Sequence, residues 1–190
     1  VDILPATCRD FDGYGLVMAP GVMHMPDGLK QALARSAATV VYGPRSGART
    51  SEMAIPVPLP PAIDGLDVTV TQVESLRHDI SVPLEGGGKV IRYRDVLDGT
   101  AKVILQTTDA EPVAMCDGQQ IYLGGWLDDD TLDQFVSGLC GEARIDVLPM
   151  PEGVRTRTTG GERFWFNYSD AEVACHGVEL PAAGVLRVPV

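Results

Sequence analysis

Tyr14-Gly15-Leu16-Val17-Met18-Ala19-Pro20-Gly21 and Thr39-Val40-Val41-Tyr42, with Pro26-Asp27-Gly28 between them, decide the fold class. The first stretch is a short apolar run ended by Pro-Gly, the pattern of a strand buried on both faces in a parallel sheet. Pro26 sits where a helix would start, and its missing N–H costs nothing in a first turn. Leu29 and Leu33 lie four apart with Ala32 beside them, so that helix has one apolar face. Thr39–Tyr42 reads as a second buried strand. Strand, helix and strand within about 30 residues make a βαβ unit, which predicts a parallel pair joined by a right-handed crossover.

Outward from this unit the texture changes twice. Gly43–Pro61 holds five prolines and little periodicity, and reads as a long loop. Loops of more than about 12–15 residues in a compact domain are usually functional or cover an interface. Asp67–Val73 then alternates as a half-buried strand does. Lys89–Tyr93, Lys102–Gln106, Pro112–Cys116 and Gln120–Gly124 are further strand candidates, with turns at Gly86-Gly87-Gly88 and Asp117-Gly118. Leu132, Phe135, Val136 and Leu139 have helical spacing behind Asp128-Asp129-Asp130-Thr131. The acidic run suits the positive end of a helix dipole, and Asp130 with Asp133 suggests a capping-box-like pair. From about Ile145 the chain turns to short strands: Val154–Thr158, Glu162–Tyr168, Ala171–Cys175 and Val185–Val188. Gly160-Gly161, Ser169-Asp170 and Pro181 break them, and no helix signal appears. This predicts a small antiparallel β module.

Composition bounds the function. The chain has 190 residues, 15 basic and 26 acidic side chains, and a net charge of −11. Nucleic acid and anionic headgroups both need a basic surface, so neither is expected as a partner. Hydrophobic residues make up 45%, enough for a packed core. The longest apolar runs are a handful of residues, far short of the roughly 20 that a membrane span needs. The N-terminus has neither a signal peptide's basic region nor its apolar core. It begins with Val1 and not Met, as a piece of a longer chain would. Cys8, Cys116, Cys140 and Cys175 are far apart and form no C-x-x-C, so a zinc ribbon or thioredoxin-type site is not expected. Reduced, mostly buried thiols in a cytoplasmic protein are.

No chemical constellation emerges. Gly86-Gly87-Gly88-Lys89 lacks the Ser/Thr of a phosphate loop and runs into a strand. Gly43-Pro44-Arg45-Ser46-Gly47 has the outline of a nucleophile elbow but not its strand–Ser–helix setting. His24, His78 and His176 lie in unrelated segments and read as surface or turn residues. Met18, Met23 and Met25 read as core or interface filling. The three aspartates at 128–130 show no fourth metal ligand, and no carboxylate pair is marked. Phe164-Trp165-Phe166 puts at least one aromatic at an interface or under another domain. No catalytic residue, cofactor-binding residue or metal ligand is assigned.

Several phrases taken in order resemble a known family. They are Val1–Pro5, Phe11–Pro20, Val40–Gly47, Leu66–Leu76, Gly118–Gly125, Pro151–Arg157 and Phe164–Asp170. The most specific are Ala19-Pro20, Pro44-Arg45-Ser46-Gly47 and Phe166-Asn167-Tyr168-Ser169. Across essentially its whole length the chain resembles the C-terminal half of a family 42 glycoside hydrolase, a bacterial β-galactosidase. The resemblance implies a trimerisation domain over residues 1 to 143, of flavodoxin/amidotransferase-like α/β fold with a mostly parallel sheet. A small antiparallel β domain follows over 144–190. It places both catalytic glutamates in a barrel outside this chain. The partners it implies are copies of the same polypeptide, as a trimer, and that barrel, through which alone a galactoside would be met.

Two departures from the family pattern stand out. Ser36-Ala37-Ala38 replaces a glycine-rich turn, which removes the easy left-handed helix cap. The family's trimerisation domain also begins with a strand and a helix that would precede Val1. That strand would lie between strands at Asp2–Leu4 and Leu16–Ala19. Its absence leads to the expectation of a displaced N-terminal segment, a strand supplied by another chain, or a re-paired sheet. A second class of function is a free-standing amidotransferase-like module that binds or hydrolyses a small molecule. It needs a nucleophile on a strand-to-helix elbow, and Cys116 is followed by a hairpin turn instead.

Overall fold

The structure is a computed structural model that describes residues 1–190. It divides into two compact units, Leu4–Asp146 and Val147–Val190, the latter taking in Val1–Ile3. No helix is long and apolar enough to cross a membrane.

The larger unit opens with the expected βαβ: β1 (Leu16–Ala19), α1 (Asp27–Arg35) and β2 (Thr39–Tyr42), with β1 and β2 parallel. After the long loop come β3 (Thr69–Ser75), β4 (Ser81–Pro83), β5 (Lys89–Asp98), β6 (Lys102–Gln106), β7 (Pro112–Asp117), β8 (Gln120–Leu123), β9 (Gly125–Leu127) and α2 (Asp129–Glu142). One sheet has the order β1-β2-β8-β7-β6. It is mixed: β1–β2 and β2–β8 are parallel, whereas β8–β7 and β7–β6 are antiparallel. The hairpin turn at Asp117-Gly118 reverses the chain between β7 and β8, so β7 alone runs against β1, β2, β8 and β6. The second sheet is antiparallel, with β5 pairing β3, β4 and β9.

Alternation in the mixed sheet sets the two cores. Val40, Tyr42 and Tyr122 join a cluster with Leu29 and Leu33 of α1. Val41, Ile121 and Leu123 join another with Leu132, Phe135 and Leu139 of α2. The helices therefore cover opposite faces, and this double burial is why Thr39–Tyr42 reads as a continuous apolar run. Each leucine so buried contributes about 1.5–3 kcal/mol of transfer free energy.

Several expectations are corrected. Asp2–Leu4 forms no strand; it is exposed, and Pro5 behind it has no N–H to extend a ladder. β1 pairs only with β2 and is the edge of its sheet. The cap of α2 is Asp128, whose Oδ1 accepts from Thr131 N at 3.1 Å, and not an Asp130–Asp133 pair. Of Met18, Met23 and Met25 only Met25 is core, while Met18 is exposed. All four cysteines are free, but Cys175 alone is buried. α1 ends without a left-handed residue: Ser36 is extended, and its Oγ accepts from Ala38 N at 3.1 Å.

The smaller unit holds β10 (Val154–Thr159), β11 (Glu162–Asn167), β12 (Val173–Cys175), β13 (Val178–Leu180) and β14 (Val185–Pro189). β10, β11 and β14 form one antiparallel sheet, and β12–β13 form a hairpin. Trp165 is buried among Val154, Cys175 and Leu180. Phe164 and Phe166 are half-buried on the other side of β11, under Arg187 and stacked on Tyr168 respectively. Asn167 is fully used: Nδ2 donates to the carbonyls of Ala171 and Pro181 at 2.8 and 2.9 Å, and Oδ1 accepts from Ser169 N and Oγ. That clamp gives the phrase Phe166-Asn167-Tyr168-Ser169 its structural reason.

Candidate functional site

The long loop after β2 is built from its first residues. Gly43 has φ +93°, and a Cβ there would run into the backbone of Leu123 on the neighbouring strand. Ser46 is wholly buried. Its Oγ donates to Ala19 O at 2.5 Å and accepts from Gly43 N at 2.9 Å. Two of the most specific phrases thus meet in one bond, which ties the loop to the carboxyl end of β1. The same burial removes Ser46 from any role as a nucleophile.

Arg45 carries a left-handed backbone, φ +67°, which a side chain other than glycine's rarely adopts. Asp95 of β5 holds it there, its Oδ2 accepting from Arg45 N at 3.1 Å. Asp95 is 3% exposed. Its Oδ2 also accepts from Tyr122 OH at 2.8 Å, and its Oδ1 from Tyr93 OH at 2.6 Å. Three donors thus compensate a buried carboxylate that has no cation against it. Burial, reinforced by the Asp95 charge and hydrogen bonds, pushes the Tyr93 and Tyr122 phenols well above the ordinary value of 10.0. Burial alone does the same to Tyr42, whose OH donates to Gln120 Oε1 at 2.6 Å.

Tyr93, Asp95 and Tyr122 line one side of a cleft of about 420 Å³. Ile55, Leu59, Pro60, Val70 and Val73 form apolar walls, and Arg45 and Arg49 stand at its side. The Arg45 guanidinium lies over the Tyr93 ring, 5.5 Å from its centroid. Neither arginine makes an ion pair; those of the molecule are Arg77–Asp79, Arg94–Glu74, Arg94–Glu111 and Arg187–Glu162. The loop also carries an apolar stripe at every second residue, Met53, Ile55, Val57 and Leu59. All are exposed, Ile55 at 62% and Val57 at 96%. Such contiguous exposed apolar surface marks an interaction site.

The residues weighed from sequence are not brought together. His24, His78 and His176 are separately exposed, the ring of His176 bonding Pro149 O at 2.6 Å. Cys116 lies in the β7–β8 hairpin with Ile121 opposite. Asp128–Asp130 start α2, and no group of three His, Cys, Asp or Glu side chains has metal-site geometry. The cleft residues Tyr93, Asp95 and Tyr122 were not singled out. The alternation of Tyr93, Asp95 and Leu97 along β5 puts the first two on one face, but nothing local to the sequence marks their burial or brings in Tyr122 of β8.

Residues 1–146 match the sequence model of the β-galactosidase trimerisation domain. A β-galactosidase of Thermus thermophilus is 30% identical over 190 residues, covering 96% of this chain. The chain spans 28% of the length of that relative, and the same share of a second β-galactosidase from a Thermus species. The crystal structure of a β-galactosidase from the psychrophilic Marinomonas ef1 superposes with a TM-score of 0.85 at 27% identity, over 98% of this chain and 30% of that one. A β-galactosidase from the Antarctic haloarchaeon Halorubrum lacusprofundi shares the fold, with a TM-score of 0.84 at 21% identity, over 100% of this chain and 33% of that one. With more than two thirds of its length matched by one family model, this chain belongs to the β-galactosidase trimerisation domain family.

Proposed function

We propose that the chain is the non-catalytic assembly and accessory region of a retaining β-galactosidase that removes terminal β-galactosides. The observation that carries this reading is the trimerisation-domain match over residues 1–146, joined to relatives of which the chain spans 28%. In the longer polypeptide a catalytic barrel supplies both glutamates, one protonating the glycosidic oxygen and the other forming the galactosyl-enzyme intermediate. Galactoside is met only through that barrel. Residues 1–143 serve as the trimerisation-type domain, related to flavodoxin/amidotransferase-like folds, and 144–190 as the accessory β domain. The assembly is a trimer of identical polypeptides in the cytoplasm.

The stripe Met53–Leu59 is the subunit contact in this reading. Four exposed apolar side chains on a proline-rich loop supply hydrophobic area for such a contact. The test is hydrolysis of an aryl β-galactoside. The longer polypeptide hydrolyses it, and the 190-residue chain, purified free of host enzyme, does not. Hydrolysis by the chain alone at enzyme-like rates overturns the reading.

A further inference from the structure

We propose that the cleft between the long loop and β3/β5 is a binding site for a small hydroxylated oxyanion, held by Arg45 and Arg49 beside the phenol oxygen of Tyr93. Ile55 and Leu59 are shared with the proposed subunit contact, so the test reads binding and not assembly.

Four observations carry it. First, the place is right: Arg45 and Arg49 follow the carboxyl end of the parallel strand β2, where open α/β sheets bind ligands. Second, the size is right. A volume of about 420 Å³ lies within the range of small-molecule sites, which run from about 300 to 1,000 Å³. Third, neither cation is neutralised, although Arg49 Nη1 donates to Ala48 O at 2.9 Å and the Arg45 guanidinium lies over the Tyr93 ring. Arg45 and Arg49 make no ion pair, in a chain of net charge −11 that offers 26 acidic side chains to neutralise them. A guanidinium presents its donors in a planar fork that matches carboxylate and phosphate oxygens.

Fourth, the Arg45 backbone is fixed in place. A left-handed backbone at a residue other than glycine persists only where its surroundings impose it, and such positions cluster at ligand clamps. Here the bond from Arg45 N to the buried Asp95 carboxylate imposes it. Asp95 is a positioning residue: it fixes the Arg45 backbone and orients both phenols.

The hydrogen-bond inventory then defines the ligand. Tyr93 and Tyr122 each spend their single proton on Asp95; Tyr122 is buried, and the half-buried Tyr93 offers the cleft only acceptor lone pairs. The arginines offer only donors. A matching ligand brings hydroxyl protons to Tyr93 and a phosphate or carboxylate to the arginines. Its carbon skeleton lies against Ile55, Leu59 and Val73.

Isothermal titration calorimetry on the 190-residue chain tests this with four probes: glucose 6-phosphate, gluconate, inorganic phosphate and glucose. The proposal expects saturable binding of glucose 6-phosphate or gluconate, whichever is the tighter naming phosphate or carboxylate as the anionic group. It expects at least tenfold weaker binding of glucose, which lacks the charge, and of inorganic phosphate, which lacks the carbon-borne hydroxyls. Arg45→Ala/Arg49→Ala weakens the charged sugar at least tenfold with circular dichroism unchanged. Asp95→Asn weakens it too, and Arg49→Lys restores part of what Arg49→Ala alone loses. No saturable binding tighter than about 10 mM, or binding that the double arginine variant leaves intact, overturns the proposal. Loss of self-association in the double variant with no binding of any probe gives the cleft to another polypeptide's carboxylate, and overturns it equally.

Discussion

Tyr122 donates its phenol hydroxyl to Asp95 at 2.8 Å, and this bond ties the mixed sheet to the antiparallel one. Tyr122 lies on β8 and Asp95 on β5, 27 residues apart in the chain. Tyr93 and the backbone of Arg45 close on the same carboxylate, so one buried charge organises two sheets and a loop.

Asp95→Ala removes the acceptor of three donors at once. Each buried donor left unpaired costs about 1–3 kcal/mol, and the partly exposed Tyr93 regains water. The expected loss is about 3 kcal/mol, read as a lower urea midpoint. Tyr122→Phe leaves Asp95 two of its three donors, for an expected loss of about 1.5 kcal/mol. A midpoint for Asp95→Ala indistinguishable from wild type contradicts the network.

Alkaline pH acts on the same groups. The phenols of Tyr42, Tyr93 and Tyr122 have pKa values raised by folding. Their contribution is therefore fully present below pH 10.0, the ordinary phenol value. Above it the unfolded chain releases protons that the folded chain keeps, so stability falls as pH rises towards the folded values. Urea midpoints should be flat from neutral pH to about 9 and then decline. Phenolate absorbance of the native protein should show these three tyrosines silent until unfolding. Early titration of all five tyrosines at their ordinary value refutes the burial assignment.

Gly43→Ala places a Cβ against the Leu123 backbone at φ +93°, where neither partner is a flexible side chain. The expected cost exceeds 2 kcal/mol, above the roughly 1 kcal/mol of an ordinary glycine replacement in a left-handed position. Thermal unfolding reads it, and a melting temperature within a degree or so of wild type is the contrary result.

The helix cap separates two neighbouring aspartates. Asp128 accepts from Thr131 N, so Asp128→Ala should cost about 1 kcal/mol. Asp130 makes no such bond, and Asp130→Ala should stay within about 0.5 kcal/mol. Equal losses for the two would return the cap to Asp130.

Much of the fold was legible because its signals are local. The apolar runs at Leu16–Ala19 and Thr39–Tyr42, and the turns at Gly86–Gly88 and Asp117-Gly118, need no knowledge of distant residues. The strand expected at Asp2–Leu4 came from the family resemblance and not from its residues, and Pro5 already argued against it. β4 and β13 are only three residues each, too short for periodicity to register. The cleft was not legible for a different reason. In Lys89–Asp98 the aspartate at 95 looks like the polar half of a surface strand. It is buried only because β8 and the loop at Arg45, from far along the chain, close over it. The conformation of Arg45 likewise follows from Asp95 and leaves no mark in Pro44-Arg45-Ser46-Gly47 itself.

The measurement that bears most directly on the assembly role is the solution mass of the longer polypeptide by multi-angle light scattering, with and without Ile55→Asp/Val57→Asp. The proposed trimer predicts a mass three times that of the polypeptide for the wild type. It predicts a smaller species for the double variant with circular dichroism unchanged, since two buried carboxylates at a subunit contact are opposed by several kcal/mol. A monomeric wild type, or a trimer that both substitutions leave intact, contradicts the account.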